Sequence, residues 1–127
     1  MTGTTETLEE RARGLLPLRP PVLEILLTLG EGPLHGYAII QALRDPDGAD
    51  LHVETGPLYR HLRRLLDSGL VSQSEEPPPG TEDDDRRKAY YALTPLGRAV
   101  VRAEGARLAG LVRETRRLGL LAEGGSP

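Results

Sequence analysis

Residues 55–71, Thr-Gly-Pro-Leu-Tyr-Arg-His-Leu-Arg-Arg-Leu-Leu-Asp-Ser-Gly-Leu-Val, decide the fold. At about 100° per residue, Leu58, Leu62 and Leu65 share one side of a helix with Leu66 beside them. Arg60, Arg63 and Arg64 fall opposite, with Tyr59 on the flank. Thr55 reads as the N-cap, and Gly56-Pro57 lie in the first turn, where a missing N–H costs nothing. Ser68-Gly69 is the stop signal. Leucines behind and cations in front make a helix that packs on one side and presents guanidinium groups on the other.

Upstream, Leu34–Arg44 predicts a helix that buries Tyr37, Ile40 and Leu43. The turn Asp45-Pro46-Asp47-Gly48 follows, then Leu51-His52-Val53, long enough for one bridge of strand. Before it, Pro20-Pro21 opens a helix with Val22, Ile25, Leu26 and Leu29 inward, and Gly30 to Pro33 ends it. Thr7 with Glu10 fits a capping box that starts a short helix through Leu8, Ala12, Leu15 and Leu16, stopped by Pro17. Downstream, Leu70–Glu75 reads as a strand, residues 76–86 as a proline-rich acidic loop, and Lys88–Leu93 as the returning strand. Ala89, Tyr91 and Leu93 lie on one side of it and Tyr90 on the other. Thr94-Pro95 then caps a helix running to about Leu121, with a frayed tail over Ala122–Pro127. The order is helix, helix, helix, short strand, helix, hairpin, long helix. The expected class is mainly α with a small β-hairpin: a winged helix-turn-helix with an N-terminal helix and a long C-terminal dimerisation helix. The divisions are 1–17 for the N-terminal helical extension, 18–93 for the winged unit and 94–127 for the C-terminal helix and tail.

Composition removes several function classes. The 127 residues include no cysteine, so disulfide staples, thiolate nucleophiles and cysteine-ligated zinc are out. His35, His52 and His61 make no metal-ligand spacing with any acid. There is no Gly-rich phosphate loop and no plausible Ser-His-Asp setting. The adjacent acids Glu82–Asp85 sit in the proline-rich loop, a poor holder of catalytic geometry. An enzyme is not expected, nor a cofactor or metal. The N-terminal stretch has no signal-peptide pattern, and no apolar run spans a bilayer, so a cytoplasmic, membrane-free protein is expected.

The net charge of −3 argues mildly against nucleic acid, but its distribution does not. Acids gather at Asp45–Glu54 and Glu75–Asp85, and the arginines lie elsewhere. In a helix-turn-helix the second helix enters the major groove and its early residues reach base edges. That assigns Gly56, Tyr59, Arg60, Arg63 and Arg64 to DNA. An arginine face is also what a merely solvated helix shows; the second basic cluster, Arg86-Arg87-Lys88, separates the two readings. In a winged helix it falls where the hairpin reaches the phosphate backbone or the minor groove. His35, at the start of the motif's first helix, either contacts a phosphate or caps and packs.

The blocks LHGYAIIQAL (34–43), GPLYRHLRRLLDSGLV (56–71) and RRKAYYALTPLGRAVV (86–101) together resemble the PadR-type winged-helix transcriptional regulators. The similarity covers about Pro20 to Val101, and the single C-terminal helix is like the smaller branch of that family. The resemblance implies a dimer held mainly by the C-terminal helix, bound to a palindromic operator and usually repressing. It also implies that Thr55, Tyr59, Arg60 and Arg63 face double-stranded DNA, that Arg86 and Arg87 serve the wing, and that a small aromatic or drug-like effector releases the DNA. The chain departs from the family pattern at Pro57 and Leu66, so base preference does not carry over.

The last helix has two overlapping apolar stripes where packing on one small domain needs one. That surplus predicts a homodimer interface of Leu96, Val100, Leu108, Leu111, Val112 and Leu118, with Leu8, Leu15 and Leu16 of the first helix capping it, ahead of the alternative of a monomer whose last helix folds back on its own core. The alternative to DNA binding is a winged-helix protein–protein module that uses the same helical face and the acidic loop.

Overall fold

The computed structural model describes residues 6–44, 55–75 and 89–122. Five helices and three short strands follow one another: α1 (Leu8–Arg13), α2 (Pro20–Thr28), β1 (Leu34–His35), α3 (Gly36–Leu43), α4 (Thr55–Asp67), β2 (Val71–Ser74), β3 (Tyr90–Leu93) and α5 (Pro95–Arg117). The sheet is antiparallel with order β1-β3-β2. This is a winged helix-turn-helix with an added helix at each end.

Local chemistry sets the helix ends. At α1 the Thr7 hydroxyl accepts the Glu10 N–H at 3.0 Å, and the Glu10 carboxylate accepts the Thr7 N–H at 2.9 Å, a reciprocal capping box. Pro20 and Pro21 occupy the first turn of α2. The α4 stop is a Schellman turn. Gly69 sits at φ +79, its N–H reaches Leu66 O at 3.2 Å, and the Leu70 N–H reaches Leu65 O at 3.0 Å. The accompanying apolar contact pairs Leu65 with Leu70, both buried. Thr94 then joins this turn to α5: its hydroxyl donates to Gly69 O at 2.6 Å and accepts the Gly97 N–H at 3.0 Å. A Cβ at Gly97 would lie 2.1 Å from Leu70 O; only glycine lets α5 approach so near.

The core gathers Ile25, Leu26 and Leu29 of α2, Ile39 and Leu43 of α3, and Leu58, Leu62 and Leu65 of α4. Strand residues Val71 and Tyr91 and the α5 residues Leu96, Ala99 and Val100 complete it. α1 packs along α5 with Ala12 fully buried. The α1–α2 connection, which contains a cis Leu16–Pro17 bond, is held by a buried carboxylate. Glu104 of α5, 1% exposed, accepts the Leu18 N–H at 2.9 Å and takes two hydrogen bonds from Arg107 at 2.6 and 3.0 Å. The Arg107 hydrogen bonds, followed by the Leu18 amide, hold its pKa below the ordinary value against the opposing effect of burial.

Four expectations change. Leu34 and His35 are not helical; they pair with Tyr91 and Tyr90 and make the sheet three-stranded. The bridge expected at Leu51–Val53 lies outside the described residues. Because α3 starts at Gly36, Ile39 takes the inward position and Tyr37 turns out, 62% exposed. Tyr90 is buried despite lying opposite the predicted core side, because His35 pairs with it and sets its ring edge-on at 5.8 Å. α5 ends at Arg117, short of Leu121, because Gly119 at φ +74 closes a second Schellman turn, with its own N–H on Arg116 O and the Leu120 N–H on Thr115 O, both 3.0 Å.

A fifth change concerns the dimer list. Leu96 and Val100 belong to the protomer's own core, 6% and 0% exposed, because the first turns of α5 cover the sheet and α2. They present no surface to a partner. Leu16 and Leu108 are half-buried, whereas Leu8, Leu15, Leu111, Val112 and Leu118 are exposed.

Candidate nucleic-acid interface

α4 divides as its periodicity predicts. Leu58, Leu62 and Leu65 are buried, while Tyr59, Arg60, Arg63 and Arg64 are exposed. Thr55, expected as the cap, is the first residue of the helix itself, followed by Gly56. The ion pairs among the described residues, Glu104–Arg107 and Glu114–Arg117, both lie on α5. No described acid therefore forms an ion pair with the three α4 guanidinium groups.

Arg60 occupies the middle of the exposed face, with a different neighbourhood on each side. On one flank Tyr59 lies over the start of α3: a methyl at Gly36 would sit 2.5 Å from the Tyr59 hydroxyl and about 3.0 Å from the ring. The buried Gly36 thus brings the aromatic side chain of α4 close to the α3 N-terminus. Beneath this flank is Tyr91, whose phenol is pushed up by burial and by the nearby Tyr59, with Arg63 opposing.

His35 caps α3. Its Nδ1 accepts the Ala38 N–H at 3.2 Å, which leaves Nε2 to carry the ring proton in the neutral imidazole. Its ring also stacks near Tyr37, centroids 6.4 Å apart. Capping and packing account for His35 before any ligand is considered.

On the other flank, His61 is half-buried. Its pKa is held below the ordinary value by burial first, then by Arg64, Arg60 and Arg19. Arg19, at the N-cap of α2, thus joins the α4 cations. It escaped the sequence reading because it lies 42 positions before His61, and only the fold, which sets Arg19, His61 and Arg64 around one cavity, brings it close. Tyr37 was missed for a different reason: its exposure depends on α3 beginning one residue after His35. Arg86, Arg87 and Lys88 lie outside the described residues. Among the described residues no group of three or more His, Asp or Glu converges as a metal site, and no helix is long and apolar enough to cross a membrane.

Comparison with known proteins agrees with this geometry. In sequence, the chain is 38% identical over 94 residues to an uncharacterised 37.1 kDa protein in transposon TN4556 of Streptomyces fradiae, covering 72% of this chain and 24% of that protein. In structure, it is similar to a PadR family transcriptional regulator from Eggerthella lenta, with 28% identity, a TM-score of 0.58, and 86% and 85% of the two chains covered. It is also similar to Bacillus subtilis PadR solved in complex with operator DNA, with 26% identity, a TM-score of 0.54, and 67% of this chain and 46% of that one covered. The chain therefore spans about a quarter of the transposon protein and under half of the B. subtilis regulator. The profile of the transcriptional regulator PadR-like family matches residues 25–103, from the middle of α2 into α5, and the chain belongs to that family.

Proposed function

We propose that the chain binds a specific site on double-stranded DNA as a homodimer and regulates transcription there. On this reading it acts as a repressor on a palindromic operator and is released by a small-molecule effector. One observation carries the DNA reading: Arg60, Arg63 and Arg64 stand exposed and without a described ion-pair partner on a helix whose Leu58, Leu62 and Leu65 are buried in the core. A B-form major groove admits an α-helix, and guanidinium groups suit both guanine edges and phosphates. The similarity to a PadR solved with operator DNA supports the same partner. The homodimer is supported by the exposed Leu111, Val112 and Leu118 of α5, and a two-fold dimer suits an operator of two half-sites. Repression and effector release rest on the family resemblance.

The test is a fluorescence-anisotropy titration with duplex DNA from upstream of the chain's own gene. Saturable binding is expected, with log affinity falling linearly against log salt by about 0.9 per phosphate neutralised. No binding even at low salt would leave the exposed arginine face without this partner and return the chain to a protein-binding role.

A further inference from the structure

We propose that the cavity between the α1–α2 connection and α4 is a binding site for a small aliphatic carboxylate. The cavity measures about 230 Å³, below the range of roughly 300–1,000 Å³ that holds drug-sized ligands. It suits one short alkyl chain. Leu15, Leu18, Val22, Leu65 and Leu70 supply an aliphatic surface, and among the described lining residues the ionisable groups are Arg19, His61 and Arg64. No described acid lines it. An apolar hollow edged by cations of one sign is complementary to a molecule with a hydrocarbon body and an anionic head. A bare phosphate, whether free or in a DNA backbone, would satisfy the cations but leave the leucines wet.

Arg19, His61 and Arg64 converge on one cavity, and the basicity of His61 is lowered there by burial first and then by Arg64, Arg60 and Arg19. A carboxylate relieves that repulsion and accepts charge-assisted hydrogen bonds from the two guanidinium groups. The site has an outlet to the rest of the molecule. Arg64 belongs to α4, one turn beyond Arg60, so a bound anion draws one cation of the exposed face toward itself and lowers the field of the others. This consequence, unlike the binding itself, rests on the proposed DNA function.

The experiment uses the full chain and three probes: hexanoate, its neutral analogue hexanamide, and inorganic phosphate. Binding is followed by calorimetry and by the imidazole NMR signals of the histidines. Hexanoate is expected to bind one per chain and move the His61 signals. Hexanamide and phosphate should each bind about tenfold more weakly or worse, the loss of one charge-assisted interaction. Arg19→Gln and Arg64→Gln should each weaken hexanoate by about the same factor, while Arg98→Gln, on the exposed side of α5, leaves it unchanged. The proposal is overturned if hexanoate does not saturate, if phosphate or hexanamide matches it, or if Arg19→Gln has no effect. In a second arm, hexanoate should weaken duplex binding in the anisotropy titration. If the chain binds no duplex but hexanoate still moves His61, the carboxylate site stands and the DNA reading fails.

Discussion

α4 and the distal half of α5 are both two-sided helices with one side left open, and the open sides are opposite in kind. On α4 every leucine of the stripe is covered and what remains is cationic. On α5 beyond Glu104 the covered residues run out and Leu111 and Leu118 remain, each 54% exposed, with Val112 at 44%. The first surface is complete as packing and unsatisfied only in charge. The second carries its own ion pair, Glu114–Arg117, and a glycine-closed end, yet leaves apolar area in water, an unfavourable arrangement for an isolated chain. One therefore calls for a polyanion and the other for a second apolar surface. Disabling either should leave the other physically intact.

The largest effect is expected on α5. Leu111→Asp with Leu118→Asp would place carboxylates in an apolar interface, where the desolvation penalty is several kcal/mol per ion. Light scattering after size exclusion should then report a monomer where a dimer is expected of the parent chain, and operator affinity should fall with it. The helical circular dichroism should persist, because neither side chain belongs to the protomer core. A dimer that survives both substitutions places the interface elsewhere.

Next in size is Arg60→Ala with Arg63→Ala. A guanine-reading arginine contributes about 1–3 kcal/mol, so each substitution should weaken operator binding roughly tenfold to a hundredfold. Folding stability should stay within about 0.5 kcal/mol, as for other exposed positions, and the dimer should be unaffected. A titration in which the double variant binds like the parent would show that α4 is not the reading helix.

The contrast between the helices was legible in the sequence to different depths. The α4 pattern was plain because both faces are encoded within one helix: leucines at 58, 62 and 65, arginines at 60, 63 and 64. Capping devices were equally readable, since Thr7 with Glu10, Pro20-Pro21, Ser68-Gly69 and Thr94-Pro95 each act over a few residues. The division of α5 was not. Leu96 and Leu111 look alike on a helical wheel, and only the position of the sheet and α2 assigns the first to the core and leaves the second exposed. β1 was invisible because two residues carry no periodicity; Leu34 and His35 become a strand through the ladder to Tyr91 and Tyr90. Arg19 joins the α4 cations for the same non-local reason.

Between the two surfaces lies Glu104, where α5 passes from buried to open. Glu104→Ala removes the acceptor for the Leu18 N–H and the partner of Arg107. Lost hydrogen bonds to a charged group suggest destabilisation of about 1.5–3 kcal/mol, measurable by urea unfolding. The α1–α2 connection should loosen first, visible as faster amide exchange at Leu18. Because the folded pKa of Glu104 is lowered, chiefly by the Arg107 hydrogen bonds, its contribution is complete above the ordinary carboxylate value of 4.5 and is lost as pH falls through the lower folded value. The parent should therefore lose more stability than Glu104→Ala on acidification below that point. Parallel losses in the two proteins would show that the carboxylate has no such role.

The smallest effect is expected at Gly36, and it tests how finely the α4 face is positioned. Alanine there would put a methyl 2.5 Å from the Tyr59 hydroxyl, so the ring must move. Tyr59 is 51% exposed and the clash involves the far end of its side chain, so relief needs a rotation at the surface and no repacking of the core. Alanine is also the better helix former, although at the first residue of α3 the gain is smaller than the ~1 kcal/mol of a helix interior. The two effects oppose each other, and the net stability change should stay below about 1 kcal/mol. Operator affinity has no such compensation, because the displaced phenol lies beside Arg60 and Arg63. A several-fold loss of affinity at nearly constant stability is expected for Gly36→Ala. Tyr59→Phe, which keeps the ring and removes the hydroxyl nearest Gly36, serves as the companion. If Gly36→Ala weakens DNA binding and Tyr59→Phe does not, the glycine acts by seating the ring. If Gly36→Ala binds DNA as tightly as the parent, the ring's position against α3 has no part in the contact.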